Sequence, residues 1–244
     1  MSSSYLYGFH TIIAALERPD EPLESIWYLK DREGDRIRNM IALAQSQGVK
    51  ILSCTRHELD IMVPGASHQG VVGKIRASKI LNFEAMIETL SPVSLFLVLD
   101  GIKDPHNLGA CLRSANAFGV NAVIVPQDRS ARMNSTVRKV ACGAAELTPL
   151  VTVTNLSRTL ATLSEEGVHI VGTAADSKLK LSEASLRGPL AIVMGGEEAG
   201  LRRLTKNRCD ELVSIPMEGE VESLNVSVAA GVLLYECNRQ RFYS

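Results

Sequence analysis

The chain has 244 residues, of which 45% are hydrophobic and 22% charged, and its 26 basic residues nearly balance 27 acidic ones. These proportions are ordinary for a globular protein, and a net charge of −1 argues against a protein that coats nucleic acid unspecifically. The longest apolar runs fall far short of the ~20 residues that cross a bilayer, so we expect no membrane partner. There is no secretory signal pattern, and the five cysteines form no CxxC pair. We therefore predict a cytoplasmic protein with reduced cysteines.

The first part of the chain alternates helix and strand patterns. We predict helices at residues 9–17 and 36–47 and strands at residues 25–29, 49–53 and 70–75. The capping-box pattern Thr55-Arg-His-Glu58 opens a further short helix. This organisation predicts a small α/β domain over residues 1–76. Residues 77–92, which end at Ser91-Pro92, are interpreted as a linker.

The pattern restarts more strongly in residues 93–244, which we interpret as a second domain. Residues 94–99 form a continuous apolar strand, as expected where both faces of a parallel sheet are covered. Further strands are predicted at residues 121–125, 150–153, 169–172, 190–194 and 211–215. Helices are predicted at residues 107–118, 134–145, 155–166 and 223–239. This alternation predicts a doubly wound, parallel α/β sheet.

Ligands of open α/β sheets bind beyond the carboxyl ends of the strands, where this chain has several glycine-rich loops. No G-x-G pair occurs, which excludes the dinucleotide fingerprint, and GK[ST], HExxH and GxSxG are absent as well. No metal-ligand spacing is present, and we expect no metal. The glycine-rich strand ends therefore need another explanation.

Three residues stand out in the first of these regions. Asn107 suits a helix N-cap, and Gly109 in the first turn suggests the close approach of another group. From spacing alone, Arg113 is either a surface residue or part of a site.

Two later segments add candidates. Gly195 and Glu197 directly follow an apolar strand, where glycine lets a ligand meet bare backbone and Glu197 either closes the loop or contacts substrate. Ser223 is a plausible N-cap of the last helix, and Asn225 in its first turn can bond the backbone or a ligand.

The combination of these motifs resembles the SpoU branch of the SPOUT RNA methyltransferases over nearly the whole chain. The motifs are Asn107-Leu-Gly109…Arg113, Met194-Gly-Gly-Glu197…Gly200 and Ile215-Pro-Met217…Ser223-Leu-Asn225. Tyr7-Gly-Phe-His10 and His68-Gln-Gly70 look like the substrate-binding N-terminal domain of that family. The loops at residues 100–109, 126–130 and 140–146 are most similar to the bacterial 23S rRNA guanosine-2′-O-methyltransferases.

The resemblance implies a trefoil-knotted sheet, a homodimer and methyl transfer from S-adenosylmethionine to a ribose 2′-hydroxyl of a guanosine in 23S rRNA. It implies that backbone groups of Gly195, Ile215 and Leu224 bind the methyl donor. It also implies a catalytic set with one cation and four polar residues: Arg113, Asn107, Glu197, Ser223 and Asn225.

Two alternatives remain at this point. The three motifs alone do not name the RNA, so a tRNA ribose 2′-O-methyltransferase is possible, as is a non-catalytic RNA-binding protein of the same fold. Glu198 and Glu222 depart from the family pattern and add negative charge near an RNA site.

Overall fold

The computed structural model describes residues 4–17, 23–30, 34–75, 82–196, 200–221 and 223–243. The chain divides into two compact units, residues 1–79 and 80–244. The elements of the first unit are β1 (Ser4–Tyr7), α1 (Phe9–Leu16), β2 (Leu23–Leu29), α2 (Asp35–Ser46), β3 (Lys50–Cys54), α3 (Arg56–Met62) and β4 (Val71–Ile75).

The second unit begins with a short helix and ends with a long one. Its elements are α4 (Phe83–Ile87), β5 (Leu95–Asp100), α5 (Pro105–Ala117), β6 (Ala122–Pro126), α6 (Ser135–Ala141), α7 (Ala144–Leu147), β7 (Leu150–Val153), α8 (Leu156–Glu165), β8 (His169–Thr173), β9 (Leu190–Gly195), α9 (Arg203–Lys206), β10 (Glu211–Val213) and α10 (Val226–Phe242).

The first unit is a mixed four-stranded sheet with the strand order β1-β4-β2-β3. Strand β4 is antiparallel to both β1 and β2, whereas β2 and β3 are parallel. The predicted capping box is present: Glu58 N donates to Thr55 Oγ1 over 3.3 Å, and Thr55 N donates to Glu58 Oε2 over 2.7 Å. The sequence pattern did not predict strand β1, which joins the sheet by antiparallel pairing with β4.

The second unit contains a six-stranded sheet with the order β10-β8-β9-β5-β6-β7, in which every pairing is parallel. The central strand β5 is buried along its whole length. Its consecutive residues Leu97 and Val98 belong to separate apolar clusters, because successive side chains of a strand point to opposite faces of the sheet. The cluster of Leu97 includes residues of α5 and α10, and that of Val98 includes residues of α8. The predicted α/β class with a parallel sheet is confirmed, and the trefoil knot stays a prediction.

Part of the predicted linker folds with the second unit. Residues 83–87 form α4, and Met86 is buried in the apolar cluster on one face of the six-stranded sheet.

Three predicted helix boundaries are wrong. The expected helix 134–145 is interrupted because Cys142 and Gly143 have left-handed φ values of 51° and 91°. Helix α5 is capped by Asp104, not Asn107, because Pro105 provides a pre-set first helical residue. Helix α10 is capped by Asn225, two residues after the predicted cap.

Candidate active site

A cavity of about 650 Å³ opens at the carboxyl edge of the six-stranded sheet, where β8, β9 and β10 end and α10 begins. Its wall consists of strand ends and the segments that follow them: residues 173–176, 194–196, 200–201, 213–215 and 223–226, with Lys206, Met217 and Ala229. Five of the sequence-predicted site residues line this one cavity: Gly195, Ile215, Ser223, Leu224 and Asn225.

Gly195 allows the chain to fold back on itself at the cavity wall. A Cβ at this position would lie 2.0 Å from the carbonyl carbon of Gly200 and 2.2 Å from the backbone nitrogen of Leu201. Gly200 N donates to the Gly196 carbonyl oxygen over 3.0 Å and closes the turn. Only a residue without a side chain permits this approach, which brings backbone groups to the edge of the cavity.

Asn225 joins the last helix to the first motif. Its Oδ1 accepts from the backbone nitrogen of Ser227 over 2.9 Å, which caps α10. Its Nδ2 donates to Oδ1 of the buried Asn107 over 3.0 Å. Asn107 therefore reaches the site through Asn225 and does not line the cavity itself.

Arg113 lies outside the cavity of its own chain. It is exposed on α5, and its Nη1 donates to Sγ of Cys142 over 3.7 Å. Gly109, one turn earlier, is explained by packing, because a Cβ there would lie 2.8 Å from both the Val137 carbonyl oxygen and Cβ of Val140 on α6. The close approach that the sequence suggested at this glycine is made by a helix.

Glu197, together with Glu198 and Glu222, lies outside the described residues. The cavity wall instead includes a charged pair that the sequence analysis missed. Lys206 Nζ lies 3.9 Å from Oδ1 of Asp176, which follows β8. That loop carries no recognisable motif, so only the strand order, with β8 beside β9, places Asp176 at the site.

A second ion pair anchors the segment between β9 and α9. The side chain of Asp100, at the end of β5, is fully buried, and its Oδ1 lies 2.6 Å from Arg202 Nη2. Its Oδ2 accepts from the backbone nitrogen of Arg202 over 3.1 Å. A buried carboxylate needs such partners, so this pair fixes the start of α9 relative to the centre of the sheet.

The thiol of Cys209 is close to this anchor but chemically inert. Burial, followed by the charges of Asp210 and Asp100, raises its pKa to about 12. A thiol with this pKa stays protonated near neutral pH and is not a nucleophile.

Two general findings concern the described part of the chain. It contains no group of three or more histidine, cysteine, aspartate or glutamate residues placed to hold a metal ion. None of its helices combines the length and apolarity that a bilayer-spanning segment needs.

Two family models match the sequence. The model of the SpoU rRNA Methylase family matches residues 94–235. The model described as RNA 2′-O ribose methyltransferase substrate binding matches residues 5–81.

Curated relatives match along the full length. The 23S rRNA (guanosine-2′-O-)-methyltransferase RlmB of Vibrio parahaemolyticus serotype O3:K6 (strain RIMD 2210633) is 51% identical over 243 residues, which cover 99% of this chain and 98% of that protein. The RlmB of Escherichia coli (strain K12) is 49% identical over 241 residues, which cover 98% of this chain and 99% of that protein.

A solved structure shares the fold. The SpoU methyltransferase AviRb from Streptomyces viridochromogenes, in complex with the cofactor AdoMet, aligns with a TM-score of 0.73 and 22% identity over 99% of this chain and 92% of that chain. From the family model and the full-length relatives, the chain belongs to the SpoU rRNA methylase family, as its motifs predicted.

Proposed function

We propose that this protein transfers a methyl group from S-adenosylmethionine to the ribose 2′-hydroxyl of a guanosine in 23S rRNA. The observation that carries this proposal is identity of about half of all residues, over nearly the whole of both chains, to enzymes named for that reaction. Identity at this level covers both units, so it includes the segment matched by the substrate-binding model as well as the cavity.

The cavity fits the methyl donor in size and character. A volume of about 650 Å³ lies within the usual range for small-molecule sites. Met194, Leu201 and Val226 give it apolar walls suited to a purine ring. Gly195, Ile215 and Leu224 place backbone groups at the same wall, where they can bond the polar parts of the donor without charged side chains. The bound donor supplies an electrophilic methyl group on a positively charged sulfur.

The protein's own task is to make the ribose oxygen a better nucleophile. A guanidinium keeps its proton in proteins and cannot act as a base, so Arg113 acts as a cation that favours negative charge on the 2′-oxygen and holds the neighbouring phosphate. Asn225, fixed by its bond to Asn107, orients the ribose together with Ser223 and Glu197. The proton leaves to water or to the phosphate. Excluding water favours the step, because opposite charges cancel as the methyl group moves.

A second copy of the chain completes this site. Arg113 does not line the cavity of its own chain. Three apolar side chains of α10, spaced along one face, are exposed to solvent in the single chain: Val228, Val232 and Tyr235. Such a stripe is suited to an isologous contact, and a homodimer formed there allows Arg113 to act at the partner's cavity.

The two units divide the work. Residues 1–76 bind the RNA substrate, and residues 77–92 connect them to the second unit, onto which α4 of this segment packs. Residues 93–244 carry the methyl-donor cavity and the reaction. The substrate-binding family model supports the role of the first unit. Since ribosomal RNA is the substrate, the protein acts in the cytoplasm.

The test is methyl transfer in vitro. The purified protein is incubated with radiolabelled S-adenosylmethionine and either an unmodified 23S rRNA transcript or unmodified tRNA transcripts. We expect one methyl group per 23S rRNA molecule, on a guanosine whose 3′ linkage becomes resistant to alkali, because the 2′-hydroxyl is blocked. Label on tRNA alone would contradict 23S rRNA as the substrate. Methylation of a base would contradict transfer to the ribose 2′-hydroxyl.

A further inference from the structure

A second concave site lies at the same edge of the sheet, beyond the ends of β6 and β7. Its volume is about 390 Å³. Three arginines and three hydroxyl-bearing residues line it: Arg129, Arg202, Arg203, Thr154, Ser157 and Thr205. We refer to it as the arginine pocket. The volume is many times the roughly 30 Å³ of one water molecule, so it admits a hydrated anionic group.

Two of the three arginines are available to a ligand. Arg202 already forms an ion pair with Asp100. Arg129 and Arg203 are exposed, and no carboxylate within the described ranges forms an ion pair with either. Asp128 is the one acidic residue among those that line the pocket. Two such arginines against one exposed carboxylate leave the pocket cationic.

The surroundings add further donors. Arg208 Nε donates to Ser157 Oγ over 3.3 Å, which brings another positive charge to the rim. Ser157 lies in the first turn of α8, a helix of ten residues whose first backbone N–H groups have no partner within the helix. Arg129 has a left-handed φ of 58°, which is uncommon for a residue other than glycine. Guanidinium, hydroxyl and backbone N–H donors together match the oxygens of a phosphate.

One short segment separates this pocket from the methyl-donor cavity. Gly200, Leu201 and Lys206 line the cavity, whereas the intervening residues 202–205 line the arginine pocket. In the sheet, β5 lies between β9, which ends at the cavity, and β6, which ends at the arginine pocket. The ion pair between Asp100, at the end of β5, and Arg202 holds residues 202–205 next to the end of β5. A group bound in the pocket is therefore one helical turn away from the cavity.

We propose that the arginine pocket binds a backbone phosphate of the RNA strand whose ribose enters the cavity. The identity of the strand rests on the proposed function, but the phosphodiester chemistry does not. Phosphate suits the pocket better than a protein carboxylate, because two guanidinium groups and several neutral donors can share its several oxygens. The contact sets the register of the strand, in line with the usual division in which phosphate contacts position and base contacts specify.

The test compares two double variants with the same change in charge. Arg129→Gln/Arg203→Gln removes the two available arginines. Arg158→Gln/Lys178→Gln, at exposed positions that do not line either site, is the matched control. Binding to the 23S rRNA transcript and to a short oligouridylate is measured over a series of salt concentrations, together with affinity for S-adenosylmethionine and methyl transfer.

We expect the pocket variant to bind both RNAs about tenfold more weakly at low salt. The slope of log affinity plotted against log salt concentration should decrease in magnitude by about 0.7, because the variant neutralises one phosphate fewer. Affinity for S-adenosylmethionine should be unchanged, and the control should stay within about twofold of the unmodified protein. Inorganic pyrophosphate should displace oligouridylate from the unmodified protein more readily than from the pocket variant.

Equal affinities and slopes for the two double variants would overturn the proposal. Displacement of oligouridylate by a glutamate-rich peptide at lower concentration than pyrophosphate would overturn it in favour of an acidic protein partner. Failure of the proposed function has a different signature. In that case the unmodified protein transfers no methyl group to the transcript, while the oligouridylate measurements still decide whether the pocket binds phosphate.

Discussion

The side chains of Asn225 and Asn107 meet across 118 positions of sequence, with a 3.0 Å hydrogen bond from Nδ2 of the first to Oδ1 of the second. One residue caps the last helix, and the other lies buried in the first turn of α5. The bond therefore ties the start of α10, which forms one wall of the cavity, to the helix that also carries Arg113. We expect the orientation of the proposed site to depend on this contact.

Replacing Asn225 separates its two roles. Asn225→Ser keeps a side-chain oxygen for the cap but cannot reach Asn107, so we expect near-normal thermal stability and methyl transfer reduced at least tenfold, or about 1.4 kcal/mol. Asn225→Ala loses the cap as well, at about 1 kcal/mol of unfolding free energy. Thermal denaturation and single-turnover assays measure the two effects. Full activity of Asn225→Ser would show that the tie to Asn107 does not matter.

The sequence predicted several residues that line the cavity, but not the contacts between segments that are far apart in the chain. Gly195, Ile215 and Leu224 were predicted because the family resemblance rests on short motifs that are visible in the sequence, and all three line the cavity. The bond between Asn107 and Asn225 depends on how distant segments pack, which no local pattern contains. The same holds for Asp176 opposite Lys206, since neither residue lies in a motif.

Helix boundaries were missed for a more local reason. A non-glycine residue in the left-handed region, Cys142, is difficult to anticipate because its conformation is imposed by its surroundings. The cap of α5 was missed because Asn107 is a good capping residue, while Asp104 followed by Pro105 is better placed.

Gly195 should tolerate no side chain. In Gly195→Ala the new Cβ would overlap the backbone of Gly200, and the chain can relieve this only by moving the cavity wall. We expect a loss of unfolding free energy of about 1–3 kcal/mol or more and at least tenfold weaker binding of S-adenosylmethionine by calorimetry. Gly231→Ala, in the middle of α10, is the matched control. Its Cβ would lie 3.8 Å from Ser114 Oγ on α5, an ordinary contact, and helix propensity predicts unchanged or slightly higher stability. Normal donor binding by Gly195→Ala would contradict the role of this wall.

The exposed stripe of α10 should hold two copies together. Val228 and Val232 are 53% and 38% exposed in the single chain, so Val228→Glu/Val232→Glu leaves the fold of one subunit intact but places charges in the contact. We expect light scattering to give half the mass of the unmodified protein, with methyl transfer reduced at least tenfold and donor binding retained. Ile61→Glu, at an exposed position of the first unit, should remain dimeric. A monomeric unmodified protein would refute the homodimer.

The cysteines should differ sharply in reactivity. Burial raises the pKa of both Cys209 and Cys237 to about 12, so at pH 8 they remain thiols, whereas Cys142 is exposed. We expect iodoacetamide to label Cys142 first, as seen by peptide mass analysis, and to lower methyl transfer several-fold because the adduct lies beside Arg113. Cys142→Ser should resist this inhibition. Rapid labelling of Cys209 at pH 8 would contradict its raised pKa.

Arg113→Ala should nearly abolish methyl transfer while leaving donor affinity intact. The cavity that we assign to S-adenosylmethionine does not include Arg113, so its removal should change calorimetric affinity less than twofold. Its charge acts on the 2′-oxygen and the phosphate as negative charge develops, and loss of such a preorganised group lowers rates on the order of 10²–10³-fold. Arg113→Lys should restore little, because an ammonium cannot hold two oxygens in one plane. Single-turnover assays at saturating donor measure the rate. A change of only a few-fold would make Arg113 an ordinary exposed residue of α5, and the catalytic cation would then have to be sought elsewhere in the protein.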